Sequence, residues 1–561
     1  MTKRAFWMGV LLCFASNSLV SAQAPAGTRV DLESSRLNGE LSLTVRDAIE
    51  LALARNPDLA IEKIRLDQAR EKINEQRGNY DSLINVRALA GRHDNVVASR
   101  FYPTGLYIDT EQAQSVGYET KTLRGGRINV ALDYRRLVST SNIQTLSPQY
   151  SATLNVTLTQ SLLRDFGLDI GTTQIRVAEK EKEIAEQNIS RRVSQLVQQV
   201  EEAYWSLTFL RQNLEARKRS LEFARQLLKQ NEVLLTAGRV APVSVLEARS
   251  GVATHEEDVL TAESQMKKFE DRLKVLLRID LASASITPVT TSELQTVAFD
   301  PARSVEAALL RRAEIQALRK EVEQREIERN FAANQTKPRL DVTVQYGVAG
   351  LAGRPNPTCL DPTAFPCEPA GSNVNGTVFA DEKSPKDAFT RMFSPKPFDA
   401  WLVDVKFQMP LGNNTARSRL VEVDLQLRES NTRLRAARDQ IESEIRDAMR
   451  ETLAAQKRID ASRANVAFVE DELEGTRRKF EAGLSSSYDV LQVLDEVDKA
   501  RTIEYKAVMD FNIGQSKVRF AEASTLEKYN IAIDFGAPNT SATGTIARKQ
   551  PGDVNLQGAA P

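Results

Sequence analysis

Residues 193–214 read VSQLVQQVEEAYWSLTFLRQNL, and Val193, Leu196, Val200, Ala203, Leu207, Leu210 and Leu214 recur at alternating steps of three and four. That spacing draws one apolar seam along a helix, as in a coiled coil. The seam sits in a stretch from about Thr172 to Thr236 that contains neither proline nor glycine, so the helix predicted there is on the order of 100 Å long. No compact domain needs such an element. A second helix of similar length is predicted from about Ala416 to Ala482, with a more polar seam of Ile441, Ile445, Ala448, Thr452 and Ala455. Each helix runs up to a glycine, Gly238 or Gly483, which is a helix C-terminal signal. Each then turns back into a return helix beginning near Pro242 or Ser487. Two antiparallel helical hairpins are predicted.

Ahead of each long helix the pattern changes to period two. Tyr150, Ala152, Leu154, Val156 and Leu158 interleave with Ser151, Thr153, Asn155, Thr157 and Thr159, and Ile128, Val130, Leu132 and Tyr134 interleave with Asn129, Asp133 and Arg135. Later, Leu340, Val342, Val344 and Tyr346 alternate with Asp341, Thr343 and Gln345, and Trp401, Val403, Val405 and Phe407 with Asp404, Lys406 and Gln408. Strands of about 10 residues with one apolar and one polar face suit a membrane barrel with a wet lumen. A soluble sandwich also alternates. A few strands separated by such long helices, however, have no partner sheet unless other subunits supply it. The chain therefore reads as mainly α, with strands that enter a barrel shared between copies. Both glycine turns lie at the end remote from the strands, so the hairpins would reach ~100 Å away from the membrane, enough to cross a periplasm.

Charge and composition narrow the function. The 561 residues carry 75 Lys+Arg against 75 Asp+Glu and two histidines, His93 and His255. Both signs are spread along the chain and leave no basic face for a phosphate backbone, so no nucleic-acid partner is expected. Two histidines offer little for acid/base catalysis or a multi-His metal site. No catalytic residue, metal or cofactor is expected, and the chain does not read as an enzyme. Met1-Thr2-Lys3-Arg4, the apolar run from Ala5 to about Val20 and the small residues after it compose a secretory signal, cut near Ala22. Leu12 before Cys13 does not suit lipidation. The remaining cysteines, Cys359 and Cys367, can close a small disulfide loop in an oxidising compartment. No other segment approaches 18 uncharged apolar residues, so a mature chain that meets a membrane does so as a β-barrel or along its surface.

The chain also repeats itself. Ala54-Arg55-Asn56-Pro57-Asp58 before Leu59 is matched by Leu310-Arg311-Arg312-Ala313-Glu314 before Ile315, each opening a charged helix of about 20 residues, and the segment around Gly238 is echoed around Gly483. Duplication is the economical account. Residues 1–22 are then a signal peptide, 23–42 an N-terminal extension, 43–290 and 291–534 two repeats, and 535–561 a flexible tail. With the segment from Leu43 to Leu59, the junctions Gln160-Ser-Leu-Leu-Arg-Asp-Phe-Gly167 and Gln408-Met-Pro-Leu-Gly412, and the two glycine turns, the sequence resembles the TolC-like outer-membrane efflux protein family, from about Leu43 to Asp534.

The resemblance implies a homotrimer in the outer membrane of a Gram-negative-type bacterium, surrounded by outer-membrane lipid. Its subunits would jointly form one transmembrane β-barrel and one α-helical coiled-coil tunnel, with an iris at the periplasmic tip. The implied role is exit duct of a tripartite efflux or type I secretion system, passively conducting what a periplasmic adaptor and an inner-membrane pump of RND or ABC type deliver. It implies an aperture residue at Asp489, with Gln492 where a second acidic ring would stand. It places Phe480, Ser485 and Ser244 where a charged tether would hold the iris shut, so that a closed state here would rest on packing or on other charges. Three copies of Asp489 near an axis would attract cations; alternatively Asp489 only caps the return helix, among the competing caps Ser485 to Ser487. Gly238, Val240, Gly483, Ser485, Ser486 and Ser487 are the implied adaptor-docking turns, or else plain turn chemistry.

An extra alternating hairpin, about Val116 to Leu137, departs from the family pattern and turns at Arg124-Gly125-Gly126. Inside the wall it would raise each chain's contribution from four strands to six; alternatively it projects outside, with Leu351 to Lys396 a long surface loop. Two rival functions compete with the duct. A non-conducting coiled-coil spacer would share the helices but has no need of strands with a polar inner face, and an enzyme carried by a barrel translocator would need a catalytic set that the sequence lacks.

Overall fold

The computed structural model describes residues 36–37, 40–98, 105–141, 144, 146–282, 284–290, 300–356, 384–394 and 398–535. The signal peptide, Cys359, Cys367 and residues 536–561 lie outside the described residues.

The chain enters through β1 (Arg36–Leu37) and β2 (Glu40–Leu43), followed by α1 (Val45–Arg55) and α2 (Pro57–Gly78). Thr44 caps α1 reciprocally with Asp47: Thr44 Oγ1 accepts from the Asp47 amide at 3.2 Å and Asp47 Oδ2 from the Thr44 amide at 3.1 Å. Asn56 restarts the helix as α2, its Oδ1 accepting from the Asp58 amide at 2.8 Å, with Pro57 in the first helical position. Four strands come next, β3 (Leu83–Val96), β4 (Leu106–Lys121), β5 (Gly126–Ser139) and β6 (Leu146–Ser161). They lead through α3 (Leu168–Gly171) into α4 (Thr173–Thr236), α5 (Pro242–Leu277) and β7 (Ile286–Pro288).

Two helices, strands and a pair of long helices then follow a second time, with a helix between the two strands. The chain runs through α6 (Pro301–Arg311), α7 (Ala313–Gln335), β8 (Arg339–Pro355), α8 (Pro385–Met392), β9 (Phe398–Gln408), α9 (Asn414–Glu481) and α10 (Ser487–Ala521), with α11 (Thr525–Lys528) at the end. Helix α4 has 64 residues and α9 has 68, roughly 96 and 102 Å. In the first seam Ala203 is half-buried and the other six positions are buried, and all five positions of the second are buried.

The main core lies where these helices cross the chain entry. Leu41, Leu43, Ile49, Leu196, Leu273 and Ile286 belong to it. At its centre Tyr204 donates to the Leu43 carbonyl at 2.9 Å and accepts from the Thr290 amide at 3.0 Å. A smaller core joins Ile315, Ile441, Ile445, Met449 and Val518 in the second half.

The remaining strands form one antiparallel sheet in the order β3-β4-β5-β6-β8-β9. The hairpin read between Val116 and Leu137 is therefore part of the sheet, paired on both sides, and does not project. Most strands are longer than the roughly 10 residues predicted, running to 17 in β8. Pairing with neighbours continues past the alternating stretch, because each partner supplies hydrogen bonds whatever the side chains are. The segment Leu351 to Lys396, expected as loop, carries the end of β8 and helix α8. Ser384 and Asp387 form a capping box on α8, and Ala388 and Met392 pack on Tyr150, Ala152 and Ala352. Gly350 makes room for it: a Cβ there would stand 1.9 Å from the Ala388 carbonyl oxygen.

Candidate functional site

Two regions stand out: the sheet and the hairpin tips. Register across the sheet aligns faces strand by strand. One row runs Ile84–Tyr118–Val130–Val156–Tyr346–Trp401, apolar or aromatic on all six strands. On the opposite face a row runs Lys121–Arg127–Thr159–Thr343–Asp404, polar throughout. Side chains on neighbouring strands at one level share a face, so at these levels, toward the helices, the sheet has one apolar and one polar side. On the apolar side Ile84 is 74% and Trp401 75% exposed. These two belong to the edge strands β3 and β9, which have no further partner strand among the described residues. No helix among the described residues is long and apolar enough to cross a membrane.

At the far end each long helix stops in the same way. Gly238 has φ +67° and Gly483 φ +76°, a left-handed conformation that glycine adopts without a Cβ penalty. The Arg239 amide reaches back to the Leu234 carbonyl at 2.9 Å, and the Leu484 amide to the Lys479 carbonyl at 2.8 Å. Both glycines are exposed and Val240 is half-buried. The return helices start differently. Pro242 opens α5 without a side-chain cap, Ser244 lying in its first turn. Helix α10 has a full capping box: Asp489 Oδ2 accepts from the Ser486 amide at 2.8 Å, and Ser486 Oγ accepts from the Asp489 amide at 3.2 Å. Ser485 Oγ donates to the same carboxylate at 2.9 Å. These bonds hold the Asp489 carboxyl below the usual carboxylate range. Asp489 thus takes part in the cap while remaining exposed, as is Gln492 one turn on.

The other two tip residues face inward. Phe480 is 6% exposed in a cluster with Leu227 of α4 and Val490 of α10. Ser487 is 1% exposed and its hydroxyl bonds Asn231 Oδ1 at 2.9 Å. It therefore ties α10 to α4 and is not accessible at the turn surface.

Deeper along the hairpins lies a polar contact that sequence patterns did not reveal. Asp498 of α10, 1% exposed, accepts from the Ser220 hydroxyl and from Arg217 Nη1 at 3.4 Å, and faces His255 Nδ1 at 3.9 Å. Arg217 also bonds Asp258 at 2.8 Å, and His255 Nε2 lies 4.0 Å from Asp495. Burial pushes the Asp498 carboxyl up, against the opposing pull of Ser220 and Arg217. A sequence signal existed: Asp498 follows the buried Leu494 and Val497 on one helix face. Among the described residues no group of His, Cys, Asp and Glu is arranged to hold a metal ion.

A profile of the family described as Outer membrane efflux protein matches residues 48–277 and 305–510. Among solved structures, the chain resembles the CmeC outer membrane channel of Campylobacter jejuni at 14% identity and TM-score 0.58, over 91% of this chain and 98% of that one. The outer membrane protein VceC of Vibrio cholerae matches at 17% identity and TM-score 0.57, over 85% and 95% of the two chains. The open state of the MtrE outer membrane channel of Neisseria gonorrhoeae matches at 12% identity and TM-score 0.55, over 85% and 88%. No curated protein matches the chain in sequence.

Proposed function

This chain belongs to the outer membrane efflux protein family, and from that premise we propose that three copies assemble into one exit duct. The chain is an outer-membrane channel protein of the Gram-negative type. Residues 43–290 and 291–534 act as two structural repeats, each giving strands to a shared barrel and a hairpin to a periplasmic tunnel. The duct conducts passively and takes its cargo from a periplasmic adaptor and an inner-membrane pump of RND or ABC type.

The observation that carries this reading is the sheet with apolar and polar rows on opposite faces and two edges unpartnered among the described residues, continuous with hairpins of roughly 100 Å. An open edge with exposed apolar neighbours invites the same edge pairing from another chain, and closure by further copies satisfies both edges. Apolar residues left exposed on the helices, among them Leu246, Leu260 and Phe468, suit packing between subunits.

At the tip, Asp489 and Gln492 line the aperture, and inter-hairpin packing around Phe480 takes the place of a charged lock. Ser244 and Ser485 stand beside it without a charge to contribute. Adaptor docking uses the exposed backbone of Gly238 and Gly483 with Val240, Ser485 and Ser486, while Ser487 supports the turn from beneath. Planar-bilayer conductance of the detergent-purified protein, with its mass measured in parallel, tests the reading. Trimers with cation-selective steps that lose selectivity in Asp489→Ala are expected. Trimers equally selective in both proteins would remove Asp489 from the aperture; absence of both trimers and steps would favour a non-conducting spacer.

A further inference from the structure

Strands β4 and β5 form a complete additional hairpin between β3 and β6, with its register continuous on both sides. Ile84 stands opposite Tyr118, Tyr118 opposite Val130, and Val130 opposite Val156. If the hairpin were cut out, β3 and β6 would still meet antiparallel, with Ile84 opposite Val156, apolar against apolar. The hairpin is thus a register-preserving unit of the wall.

Its turn is also anchored at the sheet-to-helix junction. Thr122 and Gly126 close it, the Thr122 amide donating to the Gly126 carbonyl at 2.8 Å. Gln160 Nε2 donates to the Arg124 carbonyl at 3.1 Å. The fit leaves no room for side chains: a Cβ on Gly125, at φ +82°, would lie 2.0 Å from the Asp165 carbonyl oxygen, and one on Gly171 would lie 1.9 Å from that of Leu123. A hairpin projecting into solvent would need neither the matched faces nor this seat.

We propose that the assembled barrel has 18 strands, three copies of the six in each chain, and that its outlet accommodates cargo of polypeptide size. This rests on the trimeric duct reading above. With strands about 4.8 Å apart and tilted by about 40°, 18 strands close at a backbone diameter of about 36 Å, against about 24 Å for 12. Side chains occupy about 5 Å from each wall. Water then fills about 26 Å, against about 14 Å. A passage of about 26 Å is comparable with a folded polypeptide of about 50 residues, whose radius of gyration is about 10 Å. The membrane outlet therefore imposes no sieve for small solutes, and any size selection falls to the periplasmic tip.

The test compares the full chain with a deletion of residues 106–139, both as purified trimers in planar bilayers. Neutral polymers of graded size are added to the barrel side and their partition is read from the conductance. The intact protein is expected to admit polymers of nearly twofold larger diameter than the deletion. An equal cut-off in two conducting trimers would overturn the proposal.

A second measurement on the full chain does not depend on the deletion folding. Ser115→Cys and Val116→Cys are made in a Cys359→Ser/Cys367→Ser background and reconstituted in liposomes. A water-soluble maleimide is expected to label position 115, on the polar face, and a bilayer-soluble one position 116. Equal labelling of both by the water-soluble reagent would place the hairpin outside the wall and overturn the proposal. If the intact protein forms no conducting trimer, it is the duct reading that fails, and labelling still reports whether the hairpin lies in a bilayer.

Discussion

Replacing Phe480 with alanine is expected to weaken the closed tip while leaving the hairpins folded. Phe480 is almost fully buried, and its cluster draws Leu227, Phe223 and Leu234 from α4 and Val490, Leu491 and Leu473 from the second hairpin. Truncating a buried phenylalanine costs about 3–5 kcal/mol, from lost transfer free energy and the cavity left behind. Roughly half of these neighbours lie across the hairpin boundary, so about 1.5–2.5 kcal/mol of the loss bears on whether the hairpins stay together. That corresponds to roughly a 10- to 70-fold shift between closed and open tips. Val466→Ala is the control, because its cluster with Val469, Val497 and Ala500 lies within the second hairpin. The control should cost about 2 kcal/mol of stability without biasing the gate. Opening frequency in single-channel recordings and thermal unfolding of the same trimers provide the two readouts. If Phe480→Ala lowers the melting temperature yet opens no more often than Val466→Ala, packing at Phe480 does not hold the tip, and the reasoning fails.

Three further outcomes are expected. The capping carboxylate of Asp489 has its pKa held low in the folded chain, so its contribution is present above the ordinary carboxylate range and is lost as pH falls through the folded value. Asp489→Asn should therefore shrink the acid-side loss of stability, which unfolding scans across acidic pH will measure. Asp498 is raised instead: its contribution is full below the unfolded carboxylate pKa and declines as pH rises through the folded one. The melting temperature of Asp498→Asn should gain on wild type as pH rises above about 4, and a constant difference would contradict the burial assignment. Gly350→Ala should unseat α8, since its new methyl meets the Ala388 carbonyl; protease cutting near residues 385–392 should accelerate while the helical signal in circular dichroism stays unchanged.

The helical half of this protein was legible because its determinants are local. A run from Thr172 to Thr236 without proline or glycine, a three-four seam and a glycine at each end require no knowledge of the partner. The observed α4 and α9 follow those limits within two residues. Alternation along β5, β6, β8 and β9 likewise named the apolar face, because period two is a property of the strand itself. The tip was legible only in part. Gly238 and Gly483 were marked by residue type, a glycine where each helical run stops, whereas Phe480 and Ser487 are defined by Leu227 and Asn231, which lie 253 and 256 residues earlier in the chain.

What tertiary structure alone decided was neighbour choice. Alternation between Val116 and Leu137 allows a strand in the wall and a strand in a projecting hairpin equally well, because it specifies a face and not who stands beside it. Pairing to β3 and β6 resolved that, together with the close seat of Gly125 and Gly171 at the junction. The same holds for Asp498, an ordinary charge on a helix until Ser220, Arg217 and His255 close around it. Period and turn chemistry act over a few residues and can be read along the chain; burial and pairing depend on segments hundreds of residues apart, and only the folded structure brings those together.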